Sequence, residues 1–256
     1  MQTELMNPVQ YRLSLNQDII YMNDCIGKPI LITYLHQIHC IACGRKTPKS
    51  YGQGFCFKCF QHAPENAECI IHPEKCQGHL GMGRDATWEF SHHVAPHYVY
   101  LAWSGGLKVG VTRTSQIPTR WIDQGATQAI LLARTPYRKL AGCIEIELKK
   151  HYSDKTNRIS MLRNHVEPNL NLKEEKKRAS ALLPHYLKPY ILPTDEITNI
   201  QFPVSQYPDQ IHALSLDKQD IIESTLLGIK AQYLIFNGGH VLNLRTYSGY
   251  NIRLEY

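Results

Sequence analysis

Apolar residues in this chain fall into short runs separated by turn residues, and only one stretch shows a clear helical stripe. Residues 19–22 and 30–35 are β-rich runs divided by Asn23, Asp24 and Gly27-Lys28-Pro29, which predicts strands over about 10 to 38. Between 40 and about 90 the pattern fades and a loop-rich segment is expected. From Tyr98 two short strands, VYLAWS and KVGVTR, surround Gly105-Gly106 and read as a hairpin. Pro118 then opens a short helix through Arg120, Trp121 and Ile122, stopped by Gly125, and AILLAR forms a third strand. Thr135 is expected to cap the next helix with Pro136 at its first position. Leu140, Ile144 and Leu148 give that helix a buried stripe. Residues 166–196 mix charges around a helix ended by Pro184. QYLIF and VLNLR then flank Asn237-Gly238-Gly239 as a second hairpin, and YNIRLEY adds a strand.

These elements imply an α+β fold in five segments. A β-rich amino-terminal segment (1–39) precedes a metal-organised module (40–90) and a strand–strand–helix–strand–helix core (91–165). A helical linker (166–197) leads to a β-rich carboxy-terminal unit (198–256), and the first and last segments are expected to share one β unit. The 256 residues are 43% hydrophobic and 20% charged, which excludes a disordered chain, a collagen-like repeat and a coiled coil. No run of about 18 apolar residues exists and the amino terminus lacks a basic start, so a cytoplasmic protein without membrane association is expected.

Eight cysteines in such a chain point to metal ligation rather than disulfides. Cys40-x2-Cys43 and Cys56-x2-Cys59 are separated by twelve residues, with Gly44 after the first pair and Gly52 and Gly54 in the spacer. Two such pairs close a four-thiolate zinc site with no position left for substrate, so this zinc is structural. Cys69 and Cys76 are candidates for a second zinc, completed by His72, His79, His92, His93 or Cys25. The alternative is two free thiols in a loop.

Net charge is +6, and its location matters more than its size. Lys108, Arg113, Arg120, Arg134, Arg138 and Lys139 face a single acidic residue, Asp123, across positions 108–139. Arg45, Lys46, Lys49 and Lys58 lie among the cysteines with no acidic neighbour. Local positive density of this kind suits a phosphate-bearing partner, DNA or RNA.

The order of elements from Tyr98 to His151 resembles the GIY-YIG nuclease superfamily. Tyr98-Val99-Tyr100 resembles its first tripeptide and Lys108-Val109-Gly110 its second. Arg120 stands at the family's arginine, and Ala141-x2-Ile144-Glu145-x2-Leu148 resembles the helix bearing its metal-binding glutamate. Asn157 fits a downstream asparagine. Tyr98 and Lys108 stand where most members have glycine and tyrosine. The likeness covers about 98–157. The whole chain is also similar to an uncharacterised bacterial family with an amino-terminal four-cysteine motif.

That resemblance implies a metal-dependent phosphodiesterase. Glu145 would hold Mg²⁺ or Mn²⁺, Arg120 would grip the phosphate, Tyr100 would orient or deprotonate water, and Lys108 would add a point charge. Arg113, Arg134, Arg138, Lys139 and Asn157 would contact nucleic acid. Each residue also has a plainer role: Glu145 as a solvated neighbour of the stripe, Arg120 paired with Asp123, Tyr100 and Trp121 as packing, Asn157 as a cap. A catalytically inactive nucleic-acid-binding protein, or a zinc-stabilised adaptor binding another protein through its terminal β unit, are the alternatives.

Overall fold

The computed structural model describes residues 1–256. Strands β1 (Gln2–Glu4), β2 (Gln10–Leu15), β3 (Asp18–Tyr21) and β4 (Pro29–Ile38) are followed by a short helix, α1 (Phe57–His62). Helix α2 (Ala86–His93) leads into β5 (His97–Trp103), β6 (Leu107–Arg113), α3 (Thr119–Asp123), β7 (Gln128–Thr135) and α4 (Arg138–Leu148). Then come α5 (Arg158–Leu162), α6 (Leu172–Leu182), β8 (Ile197–Asn199) and β9 (His212–Ala213). The chain closes with β10 (Ile221–Lys230), β11 (Tyr233–Phe236), β12 (His240–Asn243) and β13 (Tyr250–Glu255). The fold is mixed α+β with three sheets, and no helix is long and apolar enough to cross a membrane.

The chain divides into two compact units, residues 1–63 with 200–256, and residues 64–199. In the first, a six-stranded sheet has the order β13-β4-β10-β11-β12-β9, beside a separate β1-β2-β3 sheet. Strand β4 buries Ile30 and Ile32 while Leu31 and Thr33 are less covered, the period-2 alternation of a half-buried strand. Both neighbours of β4 come from the far end of the sequence: β10 pairs Ile222 with Ile32, and β13 pairs Leu254 with Ile32. Gly238 and Gly239 adopt φ of +69° and +75° between β11 and β12, conformations that glycine reaches without strain.

The second unit holds an antiparallel sheet in the order β6-β5-β7-β8. Strand β5 is central and covered on both faces, which explains why it reads as the unbroken apolar run VYLAW. Val99, Leu101, Ile130 and Leu132 form the core with Ile144 and Leu148 of α4. Ala179, Leu183 and Leu187 belong to the same core, so the segment expected as a linker contributes buried apolar surface instead. Helix α4 starts later than its sequence suggests. Thr135 remains paired with His97 as the last residue of β7, its hydroxyl donating to the Tyr137 carbonyl at 3.1 Å. The helix begins at Arg138 behind Tyr137, which gives no side-chain cap. Extending the ladder with β5 wins over capping here.

Gly142 lies inside α4, where glycine normally costs about 0.5–1 kcal/mol relative to alanine. A Cβ at this position would sit 2.2 Å from the Glu74 amide nitrogen and 2.4 Å from the Pro73 carbonyl carbon. Gly142→Ala is therefore expected to destabilise the protein, by ~1–3 kcal/mol in urea unfolding, the reverse of its sign on an open helix. A stabilising effect would show that this backbone approach is not tight.

Candidate functional site

Cys40, Cys43, Cys56 and Cys59 bring their sulfurs together within 4.8 Å in the first unit, with Cys43 and Cys56 Sγ 3.9 Å apart. Two turns make this. The Gly44 amide donates to the Cys40 carbonyl at 2.8 Å with Gly44 at φ +70°, and the Cys40 amide donates to Arg45. Cys56 then opens α1, placing Cys59 one turn along. The Ile41 amide donates to Gly54, tying the two turns to each other. Burial would raise the Cys40 thiol, but backbone amides of Cys56, Cys43 and Ala42 directed at its sulfur bring it down to about 6. Four convergent thiols fit a tetrahedral zinc ion and leave no open coordination position. Arg45, Lys58 and His62 line the hollow beside this cluster.

In the second unit, Tyr100, Lys108, Arg120 and Glu145 come from β5, β6, α3 and α4, with Arg120 and Glu145 each within electrostatic reach of both Tyr100 and Lys108. A bulge between Val99 and Tyr100 shifts β5 against β7 at this point, the kind of irregularity that re-aims a side chain. Tyr100 is fully buried, and its ring lies over its cross-strand partner Gly110, where a Cβ would be 2.6 Å from the hydroxyl oxygen. Only glycine at position 110 leaves room for that ring. The hydroxyl donates to Gln124 Oε1 at 2.7 Å, and Arg120 also approaches it. Burial raises the phenol above its ordinary value, so it keeps its proton and serves as a donor.

Lys108 is 4% exposed. Burial and the Arg120 guanidinium lower it to about 8, and its ammonium donates to Thr156 Oγ1 at 3.1 Å. Glu145, 7% exposed, is raised by burial and opposed by Lys149, whose Nζ lies 3.4 Å from Glu145 and 3.1 Å from Asp154. Asp154 and Thr156 come from the loop after α4, which runs beside β6 through a Val109 amide to Ser153 carbonyl bond of 2.8 Å. Neither was singled out from sequence. The segment SDKTN signals a turn but not that the turn folds back over the sheet.

The other anticipated residues are more scattered in role. Asn157 caps α5, its side chain accepting from the Ile159 and Ser160 amides. Trp121 is core, edge-on to Tyr100 at 6.0 Å. Arg138 donates to the carbonyls of Cys69 and Ile70 at 3.0 and 2.8 Å, so its fork is engaged within the unit. Arg134 is exposed on β7, while Arg113 and Lys139 are partly covered. Cys69 and Cys76 meet Glu89 and His93 rather than His72, His79, His92 or Cys25.

Two measurements follow from these centres. Purified protein should carry at least one zinc per chain, and Cys56→Ser should cost on the order of 4 kcal/mol or more, because such sites bind and fold together. Zinc-free protein with native stability would contradict the first. Lys108 titrates near 8 when folded and at 10.5 when unfolded, so the unfolded state binds more protons between these values and stability rises with pH across that window. Urea unfolding at pH 7.5 and 10 should show the wild type gaining on Lys108→Met, with no gain if Lys108 were exposed.

No curated protein and no solved structure matches the chain. One family model does, over residues 27–252, spanning the four-cysteine cluster and the polar cluster alike. On that match the chain belongs to the family described as "Protein of unknown function (DUF2797)".

Proposed function

We propose that this protein binds nucleic acid through its second unit and hydrolyses a phosphodiester there with Mg²⁺ or Mn²⁺. The observation that carries this reading is the convergence of Tyr100, Lys108, Arg120 and Glu145 from four separate elements. Four chemically suited side chains, far apart in sequence, are brought near one another by the fold. The sequence β5, β6, α3, β7, α4, with β5 central, supports the likeness to GIY-YIG nucleases. A divalent ion on Glu145, with Asp154 as a second hard oxygen donor, would neutralise charge building on the leaving oxygen.

The chain's own residues do the rest. Arg120 presents a planar fork to two phosphate oxygens. Tyr100 is sealed from bulk water, so it positions Arg120 and Gln124 instead of deprotonating a nucleophile. Lys108 adds a positive charge below about pH 8, and Arg113, Arg134 and Lys139 extend that charge across β6, β7 and α4. The four-cysteine cluster holds zinc as a structural element.

A non-catalytic nucleic-acid-binding protein is the second reading, favoured by one contact. Lys149 already pairs with Glu145 and Asp154, so the carboxylates have a cation without metal. Cleavage of DNA and RNA panels with and without Mg²⁺ separates the two. Arg120→Ala should weaken binding by about 1–3 kcal/mol and reduce the salt slope by ~1, because one phosphate contact is lost. Glu145→Gln should leave affinity equal or higher while cutting metal-dependent cleavage at least ~100-fold. Absence of salt-sensitive binding in the wild type would overturn both readings. Binding without cleavage would leave the second.

A further inference from the structure

Two sulfurs, one imidazole nitrogen and one carboxylate oxygen, from Cys69, Cys76, His93 and Glu89, lie within 4.8 Å of one another in the second unit. We propose that these four residues bind a second zinc ion, separate from the four-cysteine cluster and structural in role. Glu89 and His93 are one turn apart on α2 and share a face of that helix. The two cysteines come from short 3-10 turns, Cys69 within Glu68–Ile70 and Cys76 immediately after Pro73–Lys75. Sulfur, nitrogen and oxygen donors in one tetrahedral set suit zinc, which accepts all three.

Three of the four donors are buried, and their surroundings favour a cation. Glu89 and His93 are 1% and 2% exposed, and Cys76 is 1% exposed. Glu89 Oε1 has no hydrogen-bond partner, and Oε2 is met only by the close-lying His93 Nδ1. A buried carboxylate with one oxygen left unpartnered is a costly arrangement for a protein to hold. Cys69 Sγ lies 3.8 Å from the same Nδ1, so sulfur, nitrogen and oxygen donors crowd one point. Arg138 does not fill the gap, since its nitrogens bind the carbonyls of Cys69 and Ile70. A single ion at the centre satisfies all four donors.

The backbone is shaped around the same point. A Cβ at Gly83 would lie 2.6 Å from Glu89 Oε1, and one at Gly78 would lie 3.2 Å from His93 Cβ. Glycine at both positions lets the loop close over the donors with no side chain between. The Gly78 amide is directed at Cys76 sulfur, an amide-to-sulfur arrangement like that around Cys40. Four protein ligands exclude substrate, so the ion would fix the 64–93 segment where it meets α4, at Gly142 and Arg138.

The test is the metal content of the full chain, and it does not depend on nuclease activity. The wild type should hold two zinc ions. His93→Ala and Cys76→Ser should each hold one, and Cys43→Ser should lose the other. Cobalt substitution gives a readout that needs no variant. Wild-type protein should take up two equivalents with spectroscopically distinct centres, one with four thiolates and one with two. His93→Ala, where folded by circular dichroism, should lose only the two-thiolate spectrum. One equivalent of metal in the wild type with a four-thiolate spectrum alone would overturn the proposal, as would a His93→Ala protein that retains both.

Discussion

Helix α4 approaches the turn at Pro73 and Glu74 so closely that position 142 has no space for a side chain, and much of the second unit is arranged around that contact. With Ile144 and Leu148 committed to the sheet and Gly142 to the turn, α4 is covered on two sides. Glu145 goes under cover with it, and Arg138 is partly covered. Arg138 answers by donating to two carbonyls, and Glu145 by pairing with Lys149. A helix packed less tightly would leave these groups in water and their properties ordinary. Burial is what separates Glu145 and Lys108 from the many solvated charges of this chain.

How much of this could be read from the sequence depends on whether the buried face of an element was apolar. β5, β6, β7 and the β11–β12 hairpin are marked by β-branched runs and glycine turns, and they appear where the pattern puts them. α2 escaped notice because its buried positions are Glu89 and His93 while Phe90 faces solvent, so hydrophobic periodicity runs against its true orientation. The long strand β10 was also passed over, since Glu223, Ser224 and Thr225 interrupt its apolar run. The four-cysteine cluster was legible because paired spacing is itself a geometric statement. The second quartet was only half legible, because Glu89 is separated from Cys76 by a loop whose path no local rule supplies. Asp154 and Thr156 belong to the same class: their place beside Lys108 exists only in three dimensions.

Segment 40–93 also shows what replaces a hydrophobic core. Ile41, Phe57, Phe60, Ile71, Leu80 and Phe90 remain exposed there, and its helices are short. Apolar burial alone is a weak organiser for such a stretch, whereas convergent thiols, imidazole and carboxylate offer directional contacts with large free energy per residue. With zinc bound as proposed, the cysteines and the buried acid would carry a load that Val99 and Leu101 carry in the sheet of the second unit.

The first unit is assembled from both ends of the sequence, with residues 64–199 interposed, and this has a consequence for the order of events during synthesis. As the chain leaves the ribosome, β4 emerges with neither of its sheet neighbours, since β10 and β13 follow more than 180 residues later. The interposed unit is contiguous and can complete its own sheet while β4 still waits. Cys40 through Cys59 emerge in that interval. Their thiols are thus available to the nascent chain well before the six-stranded sheet can close, and an ion bound there as proposed would be captured ahead of strand closure in vectorial folding.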